Sequence, residues 1–508
     1  MNNPINSLIN NIMKLTNYTV ILIVSIILSI TVSCGSSQSD EGLDDNPPNI
    51  ILLMIDDCSA VEFSCYATQE HPSGCQTPVI DQLAEEGLRF TTCWAAPLCM
   101  PARAMLMTGK YGPNTGIFGN RLSKRVPDFA AKHKPMSKVL KDNGYETAIS
   151  GKWHLPGNAG EEEYGLDEYS LLGGYFRPFE EPVVFEGLWF SWSQADSTFY
   201  EKGEIGKMRG IYPALYWNGC VVENGVLLPS DSNTYAPDLC QEFAVDYIKR
   251  ERENPFFLYY PMVLPHDPWF GTPDPESPTG RTEQGFRPQV KRVEHYLDEL
   301  VQTLKDADIY ENTVVFLTAD NATLANGKGS CSEFGVRVPL IVFGGPVEAR
   351  GVSDVLVDFT DIYPTIIEVA GLDASGIEDL DGSSFSPLLT NKPYEGKEYI
   401  FSFLDLERTV RTKEYMMDGH GGIWKCSKNG NLLDYEPMEE SPETEQIRAD
   451  LMKITQQYPL PTEADFSKER LESAKNDYSW PSLHKTTLAA FRNGDEWMNY
   501  EKRLKSGW

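Results

Sequence analysis

Two runs of apolar residues end abruptly in acidic or amide side chains. The run "NIILLMIDD" ends in Asp56 and Asp57, and the run "TVVFLTADN" ends in Asp320 and Asn321. A segment that is apolar on both faces is typical of a strand buried inside a parallel sheet. The pattern therefore predicts two buried strands, each with polar residues at its carboxyl end.

Segments with helical spacing alternate with further apolar runs. Helices are predicted over residues 77–88, 135–144, 235–251 and 286–308, and strands over "YETAIS" and "PFFLYYPMVL". Alternating strands and helices favour an α/β fold, with a mostly parallel central sheet flanked by helices. Ligands of such sheets bind beyond the carboxyl ends of the strands, where both acidic pairs are expected to lie.

The pattern changes near residue 390. The segments "KEYIFSFL" and "TKEYMMDGHGGIWK" resemble antiparallel strands with glycine turns, and a helix is predicted to start at Ser441. We therefore expect an α/β domain over residues 48–390 and a smaller C-terminal α+β subdomain with an antiparallel sheet over residues 391–508.

The N-terminus has the pattern of an export signal. Lys14 precedes the apolar run "YTVILIVSIILSITV", which is short for a membrane span and suits a signal-peptide core. The following "TVSCG" resembles a bacterial lipobox, although Thr31 stands where a leucine-like residue is usual. We expect residues 1–33 to be a lipoprotein-type signal peptide, Cys34 to carry a lipid anchor and residues 34–47 to form a flexible tether. This predicts an exported protein in the periplasm or at the cell surface.

Composition narrows the range of partners. The chain has 508 residues and a formal net charge of −30, which argues against a nucleic-acid partner because like charges repel. An anionic substrate would therefore need a local cluster of cations. Ten cysteines are present, and their pairing cannot be deduced from the sequence.

The acidic pairs are candidates for a metal site. Asp56, Asp57, Asp320 and Asn321 offer oxygen ligands, which suit a hard cation such as Ca²⁺ or Mg²⁺. Either pair alone is more simply explained as a helix cap or a turn. Two pairs at matching strand ends favour the metal site.

Basic and titratable residues follow other predicted strands. Lys152 and His154 lie in "SGKWHL", His266 lies in "LPHDPW", and Lys328 lies in "NGKGS". If the chain stays extended, Lys152 and His154 point to the same face. Each residue alone is also compatible with a solvated loop, so only their shared position at strand ends indicates a site.

Cys99 occupies the start of a predicted helix in "PLCMPARAMLMTGKYG". Backbone N–H groups at a helix start stabilise an anion, and Arg103, one turn later, can bind sulfate or phosphate oxygens. A buried thiol and a disulfide partner are the simpler alternatives for Cys99. Neither explains Pro101 and Arg103 at this spacing.

The segment around Cys99 and several segments described above together resemble a known family. The segment "CMPARAMLMTG" is similar to the signature of formylglycine-dependent sulfatases, which belong to the alkaline-phosphatase-like superfamily. The resemblance extends over "NIILLMIDD", "TPVIDQLAEEGLRFT", "GKWHL", "LPHDP", "LTADN", "GKGSCSEFGVRVPLIV" and "DFTDIYPTIIEVAGL", which together span most of residues 48–390. The chain departs from the family after Asp57, where "CSAVEFSCYA" replaces a glycine-rich turn.

The resemblance implies a cofactor and a modified nucleophile. A maturation enzyme would oxidise Cys99 to formylglycine, whose hydrate would attack sulfur. A calcium ion, with magnesium less expected, would be held by the side chain at position 99 and four further residues. These four are Asp56, Asp57, Asp320 and Asn321.

The resemblance also implies roles for the remaining candidates. His266 would protonate the leaving alcohol, and His154 would act as a base. The positive charges of Arg103, Lys152 and Lys328 would stabilise the sulfate oxygens.

The expected function is hydrolysis of sulfate monoesters, with a sulfated poly- or oligosaccharide as the substrate. The aromatic-rich segment 171–194 could stack on sugar rings or simply pack in the core. Two alternatives stay open. One is a phosphonate monoester or phosphodiester hydrolase of the same superfamily, and the other is a non-catalytic glycan-binding surface lipoprotein.

Overall fold

The computed structural model describes residues 47–465, with internal gaps. The predicted signal peptide, Cys34, nearly all of the tether and residues 466–508 lie outside the described residues. Within the described part, no helix has the length and apolar character needed to cross a membrane. The gaps are residues 68–72, 121–125, 127, 174–182, 186–187, 193–198, 202–215, 218, 268, 325–326, 427–434 and 464.

The described residues form strands that belong to four sheets. In chain order they are β1 (Asn49–Ile55), β2 (Leu88–Phe90), β3 (Cys93–Trp94), β4 (Glu146–Gly151), β5 (Glu168–Leu172), β6 (Val183–Phe185), β7 (Leu188–Trp192), β8 (Phe199–Glu201), β9 (Val221–Glu223), β10 (Val226–Leu227), β11 (Phe256–Pro261), β12 (Thr313–Ala319), β13 (Arg337–Val338), β14 (Leu340–Phe343), β15 (Gly351–Ser353), β16 (Val357–Asp358), β17 (Ile400–Leu404), β18 (Glu407–Arg411), β19 (Tyr415–Met417), β20 (Ile423–Lys425) and β21 (Glu436–Pro437).

Helices connect many of these strands. In chain order they are α1 (Pro78–Glu86), α2 (Cys99–Thr108), α3 (Gly112–Thr115), α4 (Phe129–His133), α5 (Met136–Asp142), α6 (Ala236–Lys249), α7 (Phe286–Asp306), α8 (Glu333–Val336), α9 (Phe359–Val369), α10 (Ser386–Leu389) and α11 (Pro442–Thr455). The helices predicted over residues 77–88, 135–144, 235–251 and 286–308 are confirmed as α1, α5, α6 and α7.

The largest sheet has ten strands in the order β10-β9-β5-β4-β11-β1-β12-β14-β2-β15. Its five central strands, β5, β4, β11, β1 and β12, are parallel to one another, and antiparallel pairs with β9 and β14 flank them. Strands β1 and β12 are buried at every position, as expected for apolar runs covered on both faces. The predicted mostly parallel central sheet is therefore confirmed.

The register of β1 and β12 places the two acidic pairs together. Ile55 pairs with Ala319 at the last position of both strands. Asp56 and Asp320 are the next residues along each chain, so they leave the sheet side by side. Further bonds join the loops, since the Asp56 N–H donates to the Leu264 carbonyl over 2.9 Å and the Asp320 N–H donates to the Ile55 carbonyl over 3.0 Å.

The C-terminal region contains an antiparallel sheet in the order β17-β18-β19-β20-β21. The predicted strands around residues 400 and 415–425 are confirmed, and β18 was not predicted. Ser441 caps α11, because its side chain accepts from the Thr444 N–H over 3.1 Å. The division between two domains near residue 390 stays a prediction. So does stacking by the aromatic segment 171–194, whose side chains beyond residue 173 are not described.

Candidate active site

Four neighbouring parallel strands bring the predicted site residues to one edge of the sheet. The order β4-β11-β1-β12 places the loops after these strands side by side. Lys152 directly follows β4, His266 lies in the loop after β11, and the acidic pairs follow β1 and β12. The strand ends thus collect side chains that are far apart in the sequence.

Helix α2 presents Cys99 to this edge. Cys99 is its first residue, and all ten residues of the helix are buried. The helix packs against α9. Leu98, the capping position, supplies no side-chain bond. Instead, the Asn120 side-chain oxygen accepts from the Met100 N–H over 3.1 Å.

Three oxygen atoms converge on the Cys99 sulfur. The Sγ atom lies 3.7 Å from Asp56 Oδ1, 3.8 Å from Asp57 Oδ1 and 3.7 Å from Asn321 Oδ1. Ligand atoms of Asp56, Asp57, Cys99 and His266 all lie within 4.8 Å of one another, and the four residues are buried. A buried, carboxylate-rich donor set fits a hard divalent cation.

Asp320 has a different set of contacts from the other predicted ligands. Its Oδ2 accepts from Arg103 Nε over 3.2 Å and from Nη2 over 2.8 Å. Its Oδ1 accepts from the Asp57 N–H over 3.0 Å and from Asn321 Nδ2 over 2.7 Å. Asp320 therefore orients Arg103 and Asn321, and its role as a metal ligand stays a prediction.

The three cations are paired with the three carboxylates. Arg103 binds Asp320, Lys152 Nζ lies 2.5 Å from Asp56 Oδ2, and Lys328 Nζ lies 2.5 Å from Asp57 Oδ2. Their formal charges cancel in the absence of any ion. Such mutual pairing is what permits so many buried charges, because an unpaired buried charge would carry a large desolvation cost.

The environment keeps the Cys99 thiol protonated. Burial raises its pKa well above the ordinary value, and the negative charge of Asp320 raises it further, although Lys152 and Lys328 act in the opposite direction. Lys152 Nζ lies 3.5 Å from the sulfur. A protonated thiol is a poor nucleophile, so the unmodified side chain is badly suited to attack.

Both histidines of the site are neutral. Burial lowers the pKa of His266 well below its ordinary value, and the positive charges of Lys152 and Lys328 lower it further. Its Nδ1 lies 2.5 Å from the Asp267 carbonyl oxygen, so Nδ1 carries the proton. The Nε2 lone pair then faces Lys328 Nζ at 3.5 Å.

His154 lies beside the same cations but not on a continued strand. Burial, together with Lys152 and Arg103, lowers its pKa well below the ordinary value. Gly151 has a φ of 116° and His154 a φ of 47°, so the backbone turns after β4. The extended geometry considered for Lys152 and His154 is therefore not adopted, because left-handed backbone breaks the alternation of a strand.

Sequence reasoning missed residues that tie the two acidic loops together. The Ser59 N–H donates to Thr323 Oγ1 over 3.0 Å, and the Thr323 N–H donates to Ser59 Oγ over 3.0 Å. Thr323 Oγ1 donates to Glu62 over 3.0 Å. A signal was present, because Ser59 and Thr323 each stand two residues beyond an acidic pair. Asn120 had no comparable signal.

Comparison with known proteins identifies relatives of one kind. A family model described as Sulfatase matches residues 48–372. Human arylsulfatase A is 29% identical over 392 residues, which cover 72% of each chain. Human N-acetylgalactosamine-6-sulfatase is 28% identical over 68% of this chain and 66% of its own. An ulvan-active sulfatase from Formosa agariphila is 24% identical over 79% and 70%.

Solved structures show the same fold. Ps i-CgsB in complex with k-i-k-neocarrahexaose superposes with a TM-score of 0.60 at 21% identity, covering 81% of this chain and 93% of its own. BT4656 in complex with its substrate D-glucosamine-2-N,6-O-disulfate gives a TM-score of 0.54 at 19% identity, covering 89% and 100%. These likenesses support the α/β architecture described above.

Proposed function

The chain belongs to the sulfatase family and is a sulfuric ester hydrolase, and we propose that it removes sulfate from carbohydrates at the Cys99 cluster. The observation that carries this proposal is the convergence of three oxygen atoms on the Cys99 sulfur within a ring of three cations. We propose that a calcium ion is bound by Asp56, Asp57, Asp320, Asn321 and residue 99, with magnesium less suited.

Charge balance supports this assignment. The three carboxylates cancel the three cations, so a divalent ion would leave the site with an excess of positive charge. A sulfate monoester is an anion and would restore the balance. The overall charge of −30 opposes such a substrate at long range, so the local excess must attract it.

The lysines would exchange partners when a metal ion binds. Lys152 and Lys328 are paired with Asp56 and Asp57, two of the proposed metal ligands. When these carboxylates bind a cation, their negative charge is shared and the ammonium groups can bind sulfate oxygens. Arg103 would stay fixed, because Asp320 and the Lys152 carbonyl hold its guanidinium.

We propose that Cys99 is converted to formylglycine by a maturation enzyme, because burial raises the pKa of the thiol and a protonated thiol is a poor nucleophile. One hydroxyl of the hydrated aldehyde would attack sulfur and displace the substrate alcohol, and deprotonation of the second hydroxyl would then reform the aldehyde and release sulfate. A bound metal ion would supply positive charge beside this side chain. The first turn of α2 fixes this side chain at the point where the cations converge.

We assign the two proton transfers of the reaction to His266 and His154. His266 Nε2 lies 3.5 Å from Lys328 Nζ, and we propose that His266 protonates the leaving alcohol from this nitrogen. Burial lowers the pKa of the imidazole, so His266 would take up that proton only as the anionic substrate binds. His154 is neutral as well and can accept a proton.

Carbohydrate substrates are supported by the relatives. Four of the proteins compared above are named for, or bound to, sulfated or carbohydrate ligands: N-acetylgalactosamine-6-sulfatase, an ulvan-active sulfatase, Ps i-CgsB with k-i-k-neocarrahexaose and BT4656 with D-glucosamine-2-N,6-O-disulfate. We propose that this chain acts outside the cytoplasm, after export by residues 1–33, and that Cys34 anchors it to a membrane through lipid.

A substrate panel tests the reaction class. Enzyme co-expressed with a formylglycine-generating enzyme is assayed with 4-nitrocatechol sulfate, a phenylphosphonate monoester and bis(4-nitrophenyl) phosphate, with Cys99→Ala as the control. We expect the highest kcat/KM with the sulfate ester and none with the variant. A higher kcat/KM with either phosphorus substrate would support the phosphonate or phosphodiester alternative. Absence of turnover with all three, and also with N-acetylgalactosamine 6-sulfate and D-glucosamine-2-N,6-O-disulfate, would support the non-catalytic glycan-binding lipoprotein.

A further inference from the structure

One end of the C-terminal antiparallel sheet lies against the loop that holds the start of α2. The Asp405 N–H, in the turn between β17 and β18, donates to the Phe118 carbonyl over 2.8 Å. Two residues later, Asn120 accepts from the Met100 N–H in the first turn of α2. The turn between β17 and β18 therefore contacts the loop whose Asn120 bonds to Met100, the residue that follows Cys99.

A second turn of the same sheet lies against the loop that carries Lys328. The Gly419 N–H, between β19 and β20, donates to the Cys331 carbonyl over 2.7 Å. A Cβ atom at Gly419 would come within 2.7 Å of both Cys331 Cβ and Glu407 Oε2, so the turn is packed directly on this loop. This end of the sheet therefore contacts two loops that hold site residues, one through Phe118 and the other through Cys331.

His420 is held at this end by two acidic side chains. Asp418 fixes the turn, because its Oδ1 accepts from the His420 and Gly422 N–H groups over 2.9 Å each. Glu407 Oε1 lies 3.5 Å from His420 Nε2. The Glu407 side chain is only 5% exposed, whereas that of His420 is 31% exposed. A buried carboxylate thus orients an imidazole that still reaches solvent.

We propose that His420 binds hydroxyl groups of the sugar that carries the scissile sulfate, and that Glu407 is the positioning residue that orients its imidazole. This inference rests on the proposed function, and names a contact to the part of the substrate beyond the sulfate group. The mechanism described above uses neither residue, so their arrangement beside the Lys328 loop is not explained by the chemical step.

The surrounding charges favour a hydroxyl group over a second anion. Asp405, Glu407 and Asp418 lie beside the turn and would repel a further sulfate or carboxylate. Arg448 donates to the Gly421 carbonyl in this turn, but its positive charge is paired with Glu440 and Glu445. Burial raises the pKa of Glu407 to about 7, and the negative charges of Asp418 and Asp405 contribute to this increase. A sugar hydroxyl both donates and accepts, so it can bond to an imidazole in either protonation state.

The test compares a small substrate with carbohydrates. His420→Ala, His420→Gln and Glu407→Gln are assayed with 4-nitrocatechol sulfate, N-acetylgalactosamine 6-sulfate, D-glucosamine-2-N,6-O-disulfate and k-i-k-neocarrahexaose. His295→Ala, at an exposed position of α7, is the control. For the cleaved carbohydrate, we expect His420→Ala to raise KM about tenfold with little change in kcat. The loss of kcat/KM should be several times smaller for the aryl sulfate. His420→Gln should partly restore KM, and Glu407→Gln should also raise it.

Other outcomes overturn the inference. An equal loss of kcat on both kinds of substrate would show that the pair only supports the Lys328 loop through Cys331. Two further results would show that His420 does not contact a sugar in the substrate. One is an unchanged KM in His420→Ala, and the other is turnover of the aryl sulfate alone by the unsubstituted enzyme. Failure of the unsubstituted enzyme to cleave any sulfate ester would contradict the proposed function instead, so the two failures are distinguishable.

Discussion

Cys99 has two properties that conflict unless the residue is modified. It lies at the centre of a cluster of charged groups, with oxygen atoms 3.7–3.8 Å from its sulfur. Burial and Asp320 nevertheless keep the thiol protonated. A nucleophile is expected at this position, and the native thiol is a poor one. The proposed conversion to formylglycine would remove the conflict.

Cys99→Ala is expected to abolish turnover, with a loss of a thousandfold or more, on the order seen when a catalytic group is removed. The free energy of unfolding should change by only about 1 kcal/mol, because one buried sulfur atom is lost. The matched control is Cys93→Ala, which removes a buried thiol from β3. Steady-state kinetics and chemical denaturation measure both effects. Substantial activity in Cys99→Ala would contradict the assignment.

Glu407 gives a pH-dependent prediction. Its pKa is raised from 4.5 to about 7 by burial and by Asp418, so the folded protein retains a proton that the unfolded chain loses. The contribution of this group to stability is therefore full below pH 4.5 and is lost as the pH rises through 7. Between pH 4.5 and pH 7, the free energy of unfolding of Glu407→Gln should rise by up to about 3 kcal/mol relative to that of the unsubstituted protein.

Urea denaturation at several pH values between 4.5 and 7 measures this difference. Glu414→Gln is the control, because it removes a carboxylate from an exposed position of the same sheet region. A constant difference between Glu407→Gln and the unsubstituted protein across the interval would show that the carboxyl group is not perturbed.

At the level of single residues, the sequence indicated the charged groups but not their pairing. The acidic pairs were visible because each directly follows an apolar run. The contacts of Lys152 with Asp56 and of Lys328 with Asp57 depend on which strands become neighbours. Strand order is a long-range property, so local patterns could not predict these ion pairs.

Helix α2 is the element that positions Cys99, the proposed site of the nucleophile. It starts at Cys99, places Arg103 one turn later and ends at Gly109, which has a φ of 65° and donates its N–H to the Met105 carbonyl over 2.9 Å. A glycine here ends the helix without steric cost. The position is also crowded, because a Cβ atom would lie 2.8 Å from Leu380 Cδ2 and 3.2 Å from Tyr363.

Gly109→Ala is expected to destabilise the protein by about 1–3 kcal/mol, since it combines backbone strain with crowding against Leu380 and Tyr363. Gly144→Ala separates the two causes. Gly144 has a φ of 92° and no atom within 4 Å of the added Cβ, so only strain remains. The midpoint temperature of thermal unfolding should therefore be lower for Gly109→Ala than for Gly144→Ala. Equal stability would show that the end of α2 is not tightly packed.

Long elements were predictable from the sequence and short ones were not. The seven residues of β1 and β12 and the 21 residues of α7 have clear periodicity. Strands β2, β14 and β15 have three or four residues, and two of them join the sheet through antiparallel pairs. Such short segments carry little periodic signal, and tertiary contacts decide their pairing.

The whole molecule is strongly acidic, yet its site is electrically balanced without a metal ion. We expect calcium to raise the midpoint of thermal unfolding and EDTA to reverse the effect. At a free concentration of about 100 Kd, the stabilisation is about 2.7 kcal/mol. Asp56→Asn should lose most of this shift, because Asp56 offers Oδ1 beside the Cys99 sulfur.

Asp354→Asn is the control for the calcium experiment. Asp354 has an exposed side chain that lies 3.7 Å from Lys413 Nζ, and it is not one of the residues that form the Cys99 site. Its calcium shift should match that of the unsubstituted protein. Equal shifts in Asp56→Asn and Asp354→Asn would show that calcium binds elsewhere or only weakly.

The chemical state of residue 99 in active enzyme tests the central claim most directly. Peptides that contain this residue are analysed by mass spectrometry in preparations made with and without a formylglycine-generating enzyme, and sulfate ester hydrolysis is measured in each. We predict an aldehyde at position 99, in a fraction that rises in proportion to specific activity. A fully active preparation in which residue 99 is an intact thiol would contradict the account.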